Sequence, residues 1–125
     1  MIDMETRLLV ELDLFSGVPN PCWELSAEER GELRARLKHL RPAAPPGVGD
    51  VLGYRGFLVY AAGPGGARQP WLRVQARTIH VLAGQPVGTW HDVHGLETWL
   101  QELTRKRGME LPPNAVQPQP RTKPR

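Results

Sequence analysis

Five groups of residues carry side chains capable of chemistry. Cys22 is the only cysteine. It precedes Trp23 and lies a few residues before a helix start, where a helix N-terminus can lower a thiol pKa. A cysteine nucleophile also needs a base and an orienting group. His39, His80, His91 and His94 are the available imidazoles, but nothing in their spacing brings one to Cys22. A small apolar side chain beside the core is the better account of Cys22. His91-Asp92-Val93-His94 with Glu97 is the one metal-like cluster. His94 and Glu97, at i and i+3, share a helix face. The spacing matches no zinc or iron motif, and Asp92 is better explained as a helix cap. We therefore expect no metal and no cofactor.

The other three groups bind rather than react. Arg73, Gln75 and Arg77 alternate along one strand face, with Arg55 nearby. They could hold an anion or RNA, but the aromatic pattern of an RNA-recognition sheet is missing. Gly63-Pro64-Gly65-Gly66 lacks the lysine and hydroxyl of a phosphate loop and reads as a hairpin turn. Trp23, Trp71, Trp90 and Trp99 are many tryptophans for 125 residues. Such side chains build either cores or binding hot spots.

Ser16-Gly17-Val18-Pro19-Asn20-Pro21-Cys22-Trp23 is the least ordinary connection in the chain. Two prolines restrict themselves and the residue before each. This stiffness lowers the ordering cost of binding. The loop is thus a candidate recognition surface, with Ser16, Gly17, Asn20, Cys22, Trp23 and Arg55 as its binding residues. Asn20 would supply amide hydrogen bonds and Trp23 contact area. The same stiffness could instead serve only to set the angle between strand and helix.

The elements around these groups are set by local pattern. Arg7 to Phe15 alternates, with Leu8, Val10, Leu12 and Leu14 on one side, as in a strand with one buried face. Ser26 and Glu29 form a capping box. Leu33, Leu37 and Leu40 follow at helical spacing, which predicts a helix from about Ala27 to Leu40 that stops before Pro42. A Pro/Ala/Gly linker runs from Pro42 to Gly49. Val51 to Ala62 reads as a strand with Leu52, Tyr54, Leu58 and Tyr60 in phase. Gly53 and Gly56 mark a bulge or a close backbone approach within it. Trp71 to Arg77 alternates again, and Thr78 to Leu82 extends it or forms a further strand. Gly84 to Gly88 reads as a turn. Asp92 is placed to cap a last helix with Val93, Leu96, Trp99, Leu100 and Leu103 on one face, stopped at Gly108.

The predicted class is α+β: a small antiparallel or mixed sheet of three to four strands with two helices packed on one face, in the order β-α-β-β-(β)-α. Residues 1–108 form the single compact domain. Residues 109–125, rich in proline and cations, read as a disordered tail. The net charge of +3 divides unevenly. Residues 105–125 carry six cations against Glu110, a net +5, while residues 1–104 carry ten cations against twelve acids, a net −2. The high pI belongs to the tail, which argues against the whole domain as a nucleic-acid binder. No segment reaches the ~18 continuous apolar residues of a membrane span. No signal peptide is evident, and one thiol fits a reducing compartment, so a cytoplasmic location is expected.

Ser16 to Leu25, together with Leu52-Gly53-Tyr54-Arg55-Gly56-Phe57, resembles a group of small bacterial proteins that share an SG-x-PNP-x-W-x-L pattern and a later LGYRGF-like strand. The likeness runs from about Val10 to Leu103. The group has no established activity, so the resemblance implies a bacterial, soluble, single-domain protein and assigns no catalytic residue. The reading that follows is a non-enzymatic protein-interaction or accessory module using the Ser16–Trp23 loop, with a protein partner. The alternatives are a small enzyme using Cys22 or the His91/His94 cluster, and nucleic-acid binding through the basic tail.

Overall fold

The alternation of Leu8, Val10 and Leu12 with Leu9, Glu11 and Asp13 folds as expected. Strand β1 (Leu8–Phe15) buries the first set completely. The computed structural model of the chain describes residues 6–15, 19–44, 53–83 and 88–109. The expected Pro-rich tail and most of the linker before residue 53 lie outside them. β1 is followed by β2 (Cys22–Glu24), α1 (Ala27–Ala35), β3 (Gly53–Ala62), β4 (Arg68–Gln75), β5 (Thr78–Val81), β6 (Gly88–His91) and α2 (Leu96–Lys106).

The sheet corrects the expectation of three to four strands. It has six, in the order β2-β1-β3-β4-β5-β6, and every pairing is antiparallel. The two strands outside the expected set, β2 and β6, and the separation of β5 from β4, which the sequence left open, each have a physical reason. β2 has three residues, too few to show an alternation, and is held extended by its pairing with β1. β4 and β5 are joined by a two-residue turn at Ala76 and Arg77, both at positive φ (53° and 63°). Turns of this kind normally take Asn or Gly, so the sequence carries no hairpin signal there. β6 is four residues long and directly precedes the start of a helix.

The phase of β3 also differs from expectation. Leu12 pairs with Phe57 but Leu14 pairs with Tyr54, so β3 holds one extra residue at Arg55-Gly56. Gly56 has φ 88°, and a Cβ there would lie 2.2 Å from the Val74 carbonyl oxygen. The bulge and close approach expected of this glycine are both present. It reverses the alternation, so the buried set is Phe57, Val59 and Ala61, and Leu58 and Tyr60 face the other way. A second irregularity between Val59 and Tyr60, opposite β4, lets Trp71 and Leu72 both reach the buried side.

The core fills the space between one sheet face and the helices. Phe57, Leu72, Val74, Ile79, Leu33, Leu96 and Leu100 are wholly buried in it. α1 begins as predicted: Ser26 Oγ accepts from Glu29 N (3.1 Å) and Glu29 Oε1 accepts from Ser26 N (2.8 Å). It ends at Ala35, five residues before the predicted stop. Arg36 to His39 form a turn with His39 at φ 57°, and from there Leu37 and Leu40 pack against the core. α2 begins at Leu96. Asp92 still caps it, accepting Leu96 N (2.7 Å) and Glu97 N (2.8 Å), with Gly95 in the left-handed region between them. Val93 is left exposed rather than on the core face. Gly108 ends the helix as predicted. Met109 N donates to Thr104 O and Gly108 N to Arg105 O, the paired bonds of a Schellman motif.

Neither described helix is long and apolar enough to cross a membrane.

Candidate functional site

Ser16, Gly17 and Val18 lie outside the described residues. The rest of the stiff loop is the closure of the β1–β2 hairpin. Asn20 Oδ1 accepts from Leu14 N (2.9 Å), and Asn20 Nδ2 donates to Glu11 Oε2 (2.6 Å). Pro21 O accepts from Leu12 N (2.9 Å). The amide proposed for recognition is therefore bonded to the chain's own β1. Proline at 19 and 21 removes two donors that this closure does not use.

Trp23 pairs with Val10 and faces the helices, 8% exposed. The Arg107 guanidinium lies over its ring at 5.6 Å. Its indole N–H is buried with no hydrogen-bond partner among the described residues, so the ring is held by packing and by the Arg107 contact. Trp71 and Trp99 are stacked in the same way, under Arg34 and Arg36.

Cys22 faces away from the core and is exposed, which corrects the expectation of a small side chain beside it. Opposite stands Glu11, whose other cross-strand partner is Leu58. Tyr60 shares this face. Burial, and then the nearby Glu11 carboxylate, push its hydroxyl up to about 12. Arg55 sits at the β3 bulge. Its carbonyl accepts from Arg73 Nη1 (3.4 Å), and Arg73 Nη1 also pairs with Asp13 (2.9 Å). In the sheet order, strand β1 stands between the strand that carries Arg55 and the one that carries Cys22.

The sheet order separates Cys22 from two of the four histidines. Cys22 is on edge strand β2, His80 on β5 and His91 on β6. At about 4.8 Å per strand, four and five steps separate Cys22 from these imidazoles by roughly 19 and 24 Å. His91 and His94 stand on different elements. His91 lies in β6, paired with Thr78, while His94 Nε2–H donates to the Lys38 carbonyl (2.8 Å) beside α1. No grouping of three metal-binding side chains occurs among the described residues.

Glu97, suggested as a metal ligand, has other partners. It accepts from the Tyr54 hydroxyl and from Arg77 N (3.2 Å). Gln101 Nε2 donates to the same hydroxyl (3.2 Å). Burial holds the Glu97 carboxyl above its ordinary value, opposed by these hydrogen bonds. Burial, and then the Glu97 charge, raise Tyr54 as well. The network ties β3, the β4–β5 turn and α2. It was not legible in the sequence, because Tyr54 and Glu97 are 43 positions apart.

The two edges of the sheet differ. Along β6, Ala43 N donates to Thr89 O (3.0 Å) and His91 N to Arg41 O (2.7 Å), with Pro42 bridging to Trp90. That edge is covered. On β2, Pro21 O and Leu25 N turn inward to β1, and Trp23 pairs with Val10. The alternation of strand backbone then turns the N–H and C=O of Cys22 and Glu24 outward. No described strand lies beyond them. The Glu24 side chain is held by Arg7 in a two-pronged ion pair (2.9 and 2.7 Å).

No family model matches the chain, and no curated protein or solved structure shows significant similarity to it.

Proposed function

We propose that this chain is a non-enzymatic interaction module that receives an extended segment of a protein partner along edge strand β2. The carrying observation is the asymmetry of the sheet: β6 is covered by Arg41–Ala43, while β2 presents the backbone groups of Cys22 and Glu24 outward. Strand addition to a sheet edge draws affinity from main-chain hydrogen bonds. The edge is held ready by Asn20, which locks the hairpin, and this reduces the ordering cost on binding. Cys22 would lie under the added strand. The reading keeps the Ser16–Trp23 segment as the functional one but assigns its role to the backbone of its last residues.

The distances across the sheet count against an enzyme that joins Cys22 to His80 or His91. A bacterial, cytoplasmic setting fits this reading. The first part is supported by the resemblance of the loop.

Cys22→Pro tests the proposal. It removes an outward N–H, and proline is tolerated on an edge strand whose N–H faces solvent. Affinity capture from native lysate should lose its specific partner with Cys22→Pro and keep it with Cys22→Ser, while both variants melt within a few degrees of wild type. A partner retained by folded Cys22→Pro protein would overturn strand addition at β2.

A further inference from the structure

One row of paired residues crosses the helix side of the sheet, from Trp23 through Val10, Val59 and Leu72 to Val81. At its first end the guanidinium of Arg107, the α2 C-cap, lies over the Trp23 ring. At its other end is a groove of about 400 Å³. Trp71, Leu72 and Val81 are its buried lining, and Leu37, Leu40 and Trp90 are part-exposed. The volume is in the range of small ligand sites. Two indoles beside aliphatic side chains suit a rigid apolar ring.

Proline supplies such a ring on a chain that is already stiff. In polyproline II form the backbone makes no internal hydrogen bonds, and proline-rich segments dock in aromatic-lined grooves. This chain carries a segment of that kind. Residues 110–125 follow Met109, which packs against the core two positions after Arg107. They include prolines at 112, 113, 118, 120 and 124.

Reach selects among these prolines. At about 4.8 Å per strand, Leu72 and Val81 lie roughly 14 and 19 Å from Trp23 along the row. Polyproline II rises ~3.1 Å per residue, so Pro112 and Pro113 extend only roughly 9 and 12 Å beyond Met109. Pro118 and Pro120 extend roughly 28 and 34 Å, which leaves slack for a path around the helices.

We propose that the groove holds the chain's own Pro118-Gln119-Pro120 in polyproline II form. With three residues per turn, Pro118 and Pro120 occupy two of the three edges of that helix. The face between them turns both rings to the groove and leaves Gln119 on the third edge, toward solvent. The tether makes the local concentration of the segment millimolar in scale, so a contact with a Kd of that scale is about half filled. The site lies across the sheet from β2 and does not depend on strand addition there.

The test compares the full chain with its Pro118→Gly, Pro120→Gly double variant by the indole N–H signals in heteronuclear NMR. The variant loses both rings and their fixed φ, and both positions lie outside the described fold. The Trp71 and Trp90 signals should move and the Trp23 and Trp99 signals should stay. A synthetic peptide of residues 110–125, added to the double variant at millimolar concentration, should return Trp71 and Trp90 saturably toward their wild-type positions. The same peptide with both glycines should not. Trp71 and Trp90 signals unmoved in the variant, or no saturable return with the wild-type peptide, would overturn the proposal. So would wild-type signals that approach the variant's on dilution, since a second copy would then supply the segment.

Discussion

Asn20 satisfies one β1 backbone donor and one β1 carboxylate from a single side chain. Asn20→Ala removes both bonds and leaves Leu14 N without its partner. A loss of about 1–3 kcal/mol is expected in urea unfolding, the range for stranding a partly buried donor. Asn20→Asp separates the two bonds. The new carboxylate still accepts from Leu14 N but cannot donate to Glu11, and it sets two like charges at hydrogen-bonding distance. Its deficit should be largest near neutral pH and shrink as the pH falls toward 4, where one carboxyl takes a proton; a pH-independent deficit would contradict this account. Gly56 is fixed by contact and by φ together. Gly56→Ala should cost at least about 3 kcal/mol, or prevent folding, because backbone strain and a clash with the Val74 carbonyl add. The stiffness of the Pro19–Pro21 segment was legible in the sequence. That Asn20 would spend its amide on β1 was not, because the need arises only when Leu14 N and Glu11 meet it in the hairpin.

Local chemistry made β1, the start of α1 and the end of α2 legible, whereas the two shortest strands and the early end of α1 depend on pairing and packing. β1 carries its own alternation, α1 its capping box, and α2 its apolar stripe and terminal glycine. β2 and β6 are three and four residues long and exist because neighbours pair with them. The early end of α1 has the same origin. Arg36 Nη1 donates to the His94 carbonyl (2.6 Å), its Nε pairs with Glu32 (2.7 Å), and His94 reaches back to Lys38 O. At the other end, Arg107 of the α2 C-cap pairs with Glu29 of α1 (3.1 Å). The two helices are thus tied at both ends in antiparallel fashion. Ser26→Ala removes the cap and should lower stability by about 1 kcal/mol, read as a fall in Tm with no change in the folded spectrum. Glu29 serves both the capping box and Arg107. Glu29→Ala should therefore cost more than Ser26→Ala, a difference that a double-mutant cycle with Arg107→Ala would locate in the helix tie.

At the scale of the whole molecule, the Tyr54–Glu97–Gln101 network joins parts that the chain order separates, and it makes stability depend on pH. Burial is the main reason that the Glu97 carboxyl is raised in the folded protein. In the unfolded chain it returns to the ordinary carboxylate range. Between those two values the folded state holds the extra proton. The stabilising contribution of Glu97 is therefore complete below the unfolded value and is lost as pH rises through the folded one. Glu24 works in the opposite sense. Its hydrogen bond from Arg7 lowers it, so its contribution is present at neutral pH and is lost on acidification. Wild-type stability alone mixes these slopes, and the difference from a Glu97→Gln variant isolates the first. The amide of that variant can still accept from Arg77 N while pairing with the Tyr54 hydroxyl. Wild type minus Glu97→Gln, from urea unfolding at pH 4 to 8, should fall as pH rises; a flat or rising difference would mean that Glu97 is not held above its ordinary value. The alkaline limb has the same sign. Tyr54 is raised by burial and by Glu97, and Tyr60 is pushed up to about 12. Stability should fall as pH climbs past about 10, the ordinary tyrosine value. Tyr54→Phe keeps the ring that meets Phe57 edge-on and should flatten that fall, whereas Glu97→Gln should reduce only the part of it that comes from the carboxylate charge.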